Sequence, residues 1–194
     1  MFIEPRPEDS DPAISAIYDE ERAAAGYVAN YAKSFSHRPE LMEAWAGLNK
    51  TIKKNLDLRL YELATLAAAT ALRSSYCSLA HGEILATRFY EPGEVAAMAT
   101  DHAAAPLSPA DTALMDYAAK VAVHADTVTQ ADIDNLRQHG FDDATIFDIA
   151  SAAAARAFFT KLLEAVGAHP DAEYSRLDPM FRAALTVGKP LAEG

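Results

Sequence analysis

The sequence predicts an all-α protein, and three features of the chain indicate this fold class. Alanine-rich stretches, which favour helix, occur in both halves of the chain. Long runs of alternating β-branched residues, which are typical of strands, are missing. Pairs such as Asp11-Pro12 and Ser108-Pro109 combine an N-cap with a proline at the first helical position. The 194 residues suit one compact domain over residues 1–194, or two small helical lobes that share a core.

Five helices are predicted in the first half of the chain from caps, prolines and apolar spacing. They start at Asp11-Pro12, run from about residue 27 to 35, start at Pro39, run from Asp57 to about residue 72, and run from Ser74 or Ser75 to about residue 87. The last two make up residues 57–88, which form the core motif for the functional prediction.

Four more helices are predicted in the second half, where turn residues separate the segments. They start after Glu91-Pro92-Gly93, start at Ser108-Pro109, run from Thr129 to a stop at Gly140, and run from about residue 143 to 166 before Gly167. Beyond them we expect a C-terminal arm at residues 171–194, extended over 178–194 because the apolar periodicity there is weak. The similar segments 61–64 and 147–150, each followed by an alanine run, suggest a duplicated lobe, although alanine-rich helices also look alike by chance.

Composition and charge exclude several classes of protein. Hydrophobic residues make up 51% and charged residues 23%, which argues against disorder. The formal net charge of −11 would repel phosphate backbones and acidic membrane surfaces, so we expect neither nucleic acid nor membrane as a partner. No apolar run reaches the ~18 residues needed to span a bilayer, and the first residues lack the basic and apolar regions of a secretory signal. We therefore expect a cytoplasmic protein, whose single cysteine excludes an internal disulfide.

Cys77 and His81 form the one constellation that points to chemistry. They are four residues apart, so on a helix they share a face. If Ser74 or Ser75 is the cap, Cys77 lies in the first turn, where unpaired N–H groups and the helix dipole favour a thiolate. A nearby imidazole can take the thiol proton, which would make an ordinary thiol of pKa ~8.5 a nucleophile at neutral pH. The alternative is a buried cysteine that acts only as a small hydrophobe.

The order of Glu62, Cys77 fifteen residues later and His81 four residues further on resembles the core motif of the alkylhydroperoxidase AhpD and carboxymuconolactone decarboxylase superfamily. In that family the motif reads Glu, Cys-x-x-Cys, three residues and His, and members reduce hydroperoxides. Segments 26–31, 36–40 and 140–143 resemble the peroxidase-related branch, so the resemblance covers about residues 11–171. It implies an AhpD-like helical bundle that self-associates as a dimer, trimer or hexamer.

The resemblance assigns roles to these residues and shows one departure. It implies that Cys77 is the nucleophile towards a small hydroperoxide, with His81 as base and acid and Glu62 as proton relay. The family's first motif cysteine falls on Ser74, so a sulfenic acid at Cys77 would have no partner in the same chain. An external thiol, or another subunit, would then be needed as reductant, and no cofactor is expected.

Residues around the motif have simpler interpretations as well. Ser74 is best explained as the helix cap, although its hydroxyl could bond a Cys77 thiolate. Tyr76 could line a pocket or fill the core. In a tight antiparallel hairpin, Glu62 would lie too far from Cys77 to touch it, because each residue adds 1.5 Å along a helix. Glu62 could instead be solvated or pair with Arg59.

Three other functions stay open from the sequence. Cys77, His81 and a carboxylate could ligate zinc, but residues 81–85 (HGEIL) are not an HExxH helix and no further Cys or His lies at ligand spacing, so no metal is expected. Acid–base chemistry on a small carboxylated lactone, as in the decarboxylase branch, would use His81 and Glu62 without the thiol. A non-catalytic helical oligomer would keep Cys77 as a redox sensor or as core.

Overall fold

A computed structural model describes residues 1–193 of the chain. Over this range the chain forms ten α-helices and no β-strand, which confirms the predicted all-α fold. The helices are α1 (Pro12–Ala25), α2 (Asn30–Ser34), α3 (Pro39–Asn55), α4 (Leu58–Ala71), α5 (Ser75–Arg88), α6 (Pro92–Asp101), α7 (Pro109–His124), α8 (Gln130–Gln138), α9 (Asp143–Val166) and α10 (Pro179–Leu185).

The helix starts follow the caps that the sequence predicts. The side chains of Asp11, Asp57, Ser74 and Ser108 each accept a hydrogen bond from a backbone N–H in the first turn of the helix that follows. The nine predicted helices are all present. One boundary differs, because α2 begins at Asn30 rather than at residue 27.

The late start of α2 has a long-range cause. Its first residue, Asn30, donates its backbone N–H to Oδ1 of Asp171 at 2.7 Å, a carboxylate that lies 141 residues further along the chain. The preceding residue has extended backbone and offers no side-chain cap. The N-terminus of α2 is therefore fixed by a contact that local spacing cannot reveal.

Helix α4 lies at the centre of the core, in contact with α5, α7 and α9. Every residue from 61 to 69 is buried, because neighbouring helices cover α4 on several sides. Its alanines are small enough to let those neighbours approach closely. Two polar side chains, Glu62 and Thr65, are carried into the same core.

The prediction of an extended arm over residues 178–194 is wrong for its first part, which forms α10. Asp178 caps this helix by accepting from the backbone N–H groups of Met180 and Phe181, and a proline follows at the first helical position. Phe181 and Leu185, one turn apart, are buried against α5 and α6. The Asp-Pro start was the same as that of α1, but seven residues are too few for a clear periodicity. From Thr186 to residue 193 the chain has no regular helix, and Gly194 lies outside the described residues.

None of the helices between residues 1 and 193 combines the length and the hydropathy that a membrane span requires.

Candidate active site

The turn between α4 and α5 places Cys77 at the start of a helix, as predicted. Arg73 adopts a positive φ of 56°, and the backbone N–H of Ser74 donates to the carbonyl of Ala69 at 2.9 Å, which closes the end of α4. The hydroxyl of Ser74 then accepts from the backbone N–H of Cys77 at 3.4 Å. Ser74 is therefore the cap of α5, and Cys77 lies in its first turn.

The sulfur of Cys77 receives hydrogen bonds from two side chains of α9. Nη1 of Arg156 lies 3.6 Å from Sγ, and the hydroxyl of Thr160 donates to Sγ over 3.3 Å. Cys77 is only 1% exposed, so its sulfur is shielded from solvent. A guanidinium and a hydroxyl are donors that suit an anionic acceptor.

Three aromatic side chains hold Arg156 in place. Its Nη2 donates to the Tyr61 hydroxyl at 3.2 Å, and its guanidinium lies over the rings of Trp45 and Phe159, with centroids 5.6 and 5.3 Å away. Burial acts to lower the pKa of Arg156, but its interactions with Cys77 and Tyr61 outweigh burial and the pKa lies above its ordinary value. The arginine is thus a permanent positive charge beside the sulfur.

Glu62 and His81 form a buried pair one helical turn beyond Cys77. Oε2 of Glu62, whose residue is fully buried, lies 2.5 Å from Nδ1 of His81. Burial lowers the pKa of His81 to about 4, with repulsion from Arg156 adding to it and Glu62 opposing it, so the imidazole is neutral at pH 7. Because a carboxylate only accepts, Nδ1 donates its proton to Glu62 and the lone pair is on Nε2.

The alternatives for Glu62, a solvated carboxylate or a partner of Arg59, are wrong. Arg59 pairs with Asp111 at 2.8 Å. Glu62 reaches His81, which lies further down α5 than Cys77 does, and so any effect of the carboxylate on the sulfur would pass through the imidazole.

A cavity of about 650 Å³ opens beside these residues. Cys77, His81 and Arg156 line it together with Lys50 and Lys53 of α3. Six aromatic side chains form much of the remaining wall, namely Tyr27, Tyr31, Trp45, Tyr76, Phe159 and Tyr174. A mostly apolar cavity of this size with a few converging polar groups fits a small organic molecule.

Tyr76 both lines this cavity and fixes its wall. Its hydroxyl donates to Oδ2 of Asp171 and accepts the backbone N–H of Tyr31 at 3.2 Å. Asp171 also holds the first residue of α2, as described above. One carboxylate thus joins the loop after α9, the start of α2 and the residue next to Cys77.

Sequence reasoning missed Arg156, Thr160 and Asp171, which lie far from the motif along the chain. Arg156 had one usable signal, since it is the only charged residue in the alanine-rich run over residues 149–160. Thr160 and Asp171 had none, because only the packing of α9 brings them near Cys77 and Tyr76.

Residues 1–193 contain no group of three His, Cys, Asp or Glu side chains arranged to hold a metal ion. The expectation that no metal is needed stays a prediction.

Comparison with known proteins places this geometry among related folds. The carboxymuconolactone decarboxylase family model matches residues 39–120, a segment that includes Glu62, Cys77 and His81. No curated protein matches the chain significantly by sequence.

Three solved structures share the fold over nearly the whole chain. A peroxidase-related protein from Ralstonia eutropha JMP134, described as an alkylhydroperoxidase AhpD core, is 26% identical, with 96% of this chain and 98% of that one covered and a TM-score of 0.79. A peroxidase-related protein from Silicibacter sp. TM1040 is 22% identical, with 91% and 92% covered and a TM-score of 0.76. The debrominase Bmp8 is 16% identical, with 95% and 96% covered and a TM-score of 0.74.

Proposed function

The chain belongs to the AhpD-like carboxymuconolactone decarboxylase superfamily, and on that premise we propose that it is a thiol-dependent hydroperoxide reductase with Cys77 as the nucleophile. One observation carries the proposal. The sulfur of Cys77 accepts from Arg156 and Thr160 at the edge of a cavity that also holds the Glu62–His81 pair. These groups supply an anion-stabilising charge and a base, as attack by a thiolate on a peroxide requires.

The first step consumes the hydroperoxide. His81, neutral and hydrogen-bonded to Glu62, takes the thiol proton, and Arg156 stabilises the thiolate that remains. The thiolate attacks the terminal oxygen of ROOH, the O–O bond breaks, and Cys77 becomes a sulfenic acid while RO⁻ leaves. The imidazolium of His81 then returns its proton to RO⁻, which gives the alcohol ROH.

The second step restores the thiol. Because the chain has a single cysteine, a thiol from outside attacks the sulfenic acid, releases water and forms a mixed disulfide with Cys77. A second external thiol displaces Cys77 and leaves as the disulfide. In total, ROOH and two thiols give ROH, one disulfide and water.

The proposal is tested by following peroxide consumption in the presence of a reducing thiol. Cumene hydroperoxide turnover is measured for the unmodified protein and for Cys77→Ser and Cys77→Ala. We expect both variants to lose turnover, while Lys161→Met, an exposed change on α9, keeps it. Turnover that persists unchanged in Cys77→Ser would reject the cysteine mechanism.

The Glu62–His81 contact also favours a second candidate, cofactor-free acid–base chemistry on a small carboxylated lactone. A neutral imidazole oriented by a buried carboxylate is a competent base without any thiol. This activity would release carbon dioxide in Cys77→Ser but not in His81→Ala. The hydrogen bonds from Arg156 and Thr160 to the sulfur have no role in this mechanism, which is why we rank it second.

The unmodified protein and its Cys77 variants also test two further possibilities, a debrominase and a non-catalytic oligomer. Because the fold also occurs in a debrominase, bromide release from a brominated pyrrole in the presence of thiol serves as a comparison assay. If the protein is a non-catalytic oligomer in which Cys77 is only core, every assay is negative and an alkylating probe modifies Cys77 slowly at pH 7. If Cys77 is a redox sensor, every assay is again negative but the probe reacts.

A further inference from the structure

Three of the cations that line the cavity have no carboxylate partner among residues 1–193. Arg156 bonds to the sulfur and to a tyrosine hydroxyl. Lys50 and Lys53, at the exposed edge on α3, make no ion pair within the described part of the chain, and Nζ of Lys53 lies 4.8 Å above the centre of the Tyr61 ring. In a chain of net charge −11, this wall is locally positive.

The acidic side chains of the cavity are already hydrogen-bonded. Glu21 accepts from the Tyr31 hydroxyl, and Asp171 accepts from the Tyr76 hydroxyl and from the Asn30 backbone. Burial raises the pKa of both carboxyl groups. The carboxyl groups of Glu21 and Asp171 therefore already have hydrogen-bond partners, whereas the ammonium groups of Lys50 and Lys53 have no anionic partner within the described residues.

Lys53 is an exposed residue whose ammonium is still partly desolvated. The surrounding wall lowers the pKa of Lys53 by desolvation, and the Arg156 guanidinium lowers it further, while Glu62 acts in the opposite direction. Glu62 bonds His81 and forms no ion pair with Lys53, so it acts on the lysine only from a distance. An anion bound at the mouth of the cavity would stabilise the charged form of Lys53.

We propose that the cavity binds an organic carboxylate whose anionic end pairs with Lys53 and Lys50 while its other end reaches Cys77. The aromatic side chains between these points would contact an apolar body. The buried Tyr61, which does not itself line the cavity, shows how far apart the two ends are: Nζ of Lys53 lies over its ring, and Nη2 of Arg156, beside Sγ, donates to its hydroxyl. The ligand is accordingly an elongated molecule rather than hydrogen peroxide.

The inference rests on the proposed function, which identifies the group of the ligand that reacts with Cys77. Two kinds of ligand then carry a suitable carboxylate. The ligand is either a carboxylated organic hydroperoxide or a carboxylated thiol that enters as the external reductant. Both place a carboxylate at the lysines and a reactive group at the sulfur.

A binding experiment tests the carboxylate site without depending on turnover. The only tryptophan of the chain, Trp45, lines the cavity, so its fluorescence reports on occupancy. 4-Phenylbutyrate and its neutral analogue 4-phenylbutanol are titrated into the Cys77→Ser protein, with calorimetry as a second readout. We expect the acid to bind about tenfold more tightly than the alcohol, with an affinity that falls as salt is added.

Matched lysine variants locate the contact. We expect Lys53→Gln to weaken 4-phenylbutyrate binding about tenfold and to leave 4-phenylbutanol unchanged. Lys54→Gln, an exposed change on the same helix that does not line the cavity, should leave both unchanged. Equal affinity for the two compounds, no binding of either, or equal effects of the two lysine variants would overturn the proposal.

Kinetics then separate the two sources. Cumene hydroperoxide is compared with its 4-carboxyl derivative, and 2-mercaptoethanol with 3-mercaptopropionate. If the carboxylate belongs to the peroxide, Lys53→Gln raises KM for the carboxylated peroxide with little change in kcat; if it belongs to the reductant, KM for 3-mercaptopropionate rises instead. A protein that binds 4-phenylbutyrate as described but turns over no peroxide would refute the proposed function and leave the binding site standing.

Discussion

At the scale of single residues, the proposed mechanism assigns the stabilisation of a Cys77 thiolate to Arg156 rather than to the helix start. A helix N-terminus contributes about 0.3–1 kcal/mol to a nearby anion, whereas a hydrogen bond to a charged group contributes about 1.5–3 kcal/mol. Arg156 is buried, permanently charged and 3.6 Å from the sulfur. His81 is neutral and is suited to move a proton, not to balance the thiolate charge.

Replacing Arg156 should therefore reduce the reactivity of the thiol. We expect Arg156→Met to slow alkylation of Cys77 by iodoacetamide at pH 7 about tenfold, because 1.4 kcal/mol corresponds to a factor of ten. Arg156→Lys should recover part of the rate, since it keeps the charge and loses the second hydrogen bond to Tyr61. The rates are measured by mass spectrometry between pH 5 and 9, with Lys161→Met as the control. Identical rates for Arg156→Met and the unmodified protein would contradict this role.

The buried imidazole of His81 should make stability depend on acid. The pKa of histidine in an unfolded chain is about 6.5, and that of His81 in the folded protein is about 4. Between these values the unfolded chain binds a proton that the folded protein does not, so the free energy of unfolding falls as the pH falls from about 6.5 to about 4. Below that window the contribution no longer changes.

The contribution of His81 is isolated by comparison with His81→Gln, because other titrating groups are common to both proteins. Urea unfolding of each is measured between pH 4.5 and 7.5. We expect the unmodified protein to lose stability relative to the variant as the pH falls. A stability difference that stays constant over this range would show that His81 does not have the lowered pKa.

At the scale of elements, the C-terminal segment after α10 holds the turn that presents Cys77. The backbone N–H of Gly188 donates to the hydroxyl of Ser75, the first residue of α5, at 2.8 Å. Lys189 pairs with Glu164 at the end of α9, also at 2.8 Å. The segment thus links the turn before Cys77 to the helix that carries Arg156.

A side chain at residue 188 should disturb this link. A Cβ there would overlap the backbone carbonyl oxygen of Arg73, which cannot move aside as a flexible side chain could. We expect Gly188→Ala to lower the free energy of unfolding by about 1–3 kcal/mol, the usual cost of overpacking, and to slow peroxide turnover by shifting the start of α5. Thermal unfolding and turnover are measured together.

Gly47→Ala is the matched control for this change. Gly47 lies within α3 with open space where its Cβ would be, so alanine should stabilise the protein by about 1 kcal/mol. If Gly188→Ala is as stable and as active as Gly47→Ala, the segment does not constrain the turn.

The helix starts also show which parts of the fold are determined by the local sequence. Helix starts such as Asp57 and Ser74 were predictable because each cap acts on the backbone within three residues of itself. The start of α2 was not, since its cap is supplied by Asp171 from the other end of the chain. The short α10 was missed although Asp178 and its proline repeat the pattern that opens α1.

At the scale of the whole molecule, the candidate site combines residues of the consecutive helices α4 and α5 with residues of α9, which lies far along the chain. Glu62, Cys77 and His81 lie on two consecutive helices; the spacing of Cys77 and His81 predicted that these two share a face, and the family resemblance added Glu62. The donors to the sulfur come from α9, 79 and 83 residues beyond Cys77, and depend on how α9 packs against α4. No spacing rule connects residues that far apart, so the charge of Arg156 stands out in the sequence but could not be placed beside the thiol. The expected self-association stays a prediction.

The most direct test of the account is whether one equivalent of hydroperoxide converts Cys77 to a sulfenic acid. The protein is treated with cumene hydroperoxide in the presence of dimedone, which traps sulfenic acids, and is then analysed by peptide mass spectrometry. We expect a dimedone adduct on Cys77, formed as the peroxide is consumed and much more slowly in Arg156→Met. Peroxide that is consumed while Cys77 stays a free thiol, or a Cys77 that never forms the adduct, would contradict it.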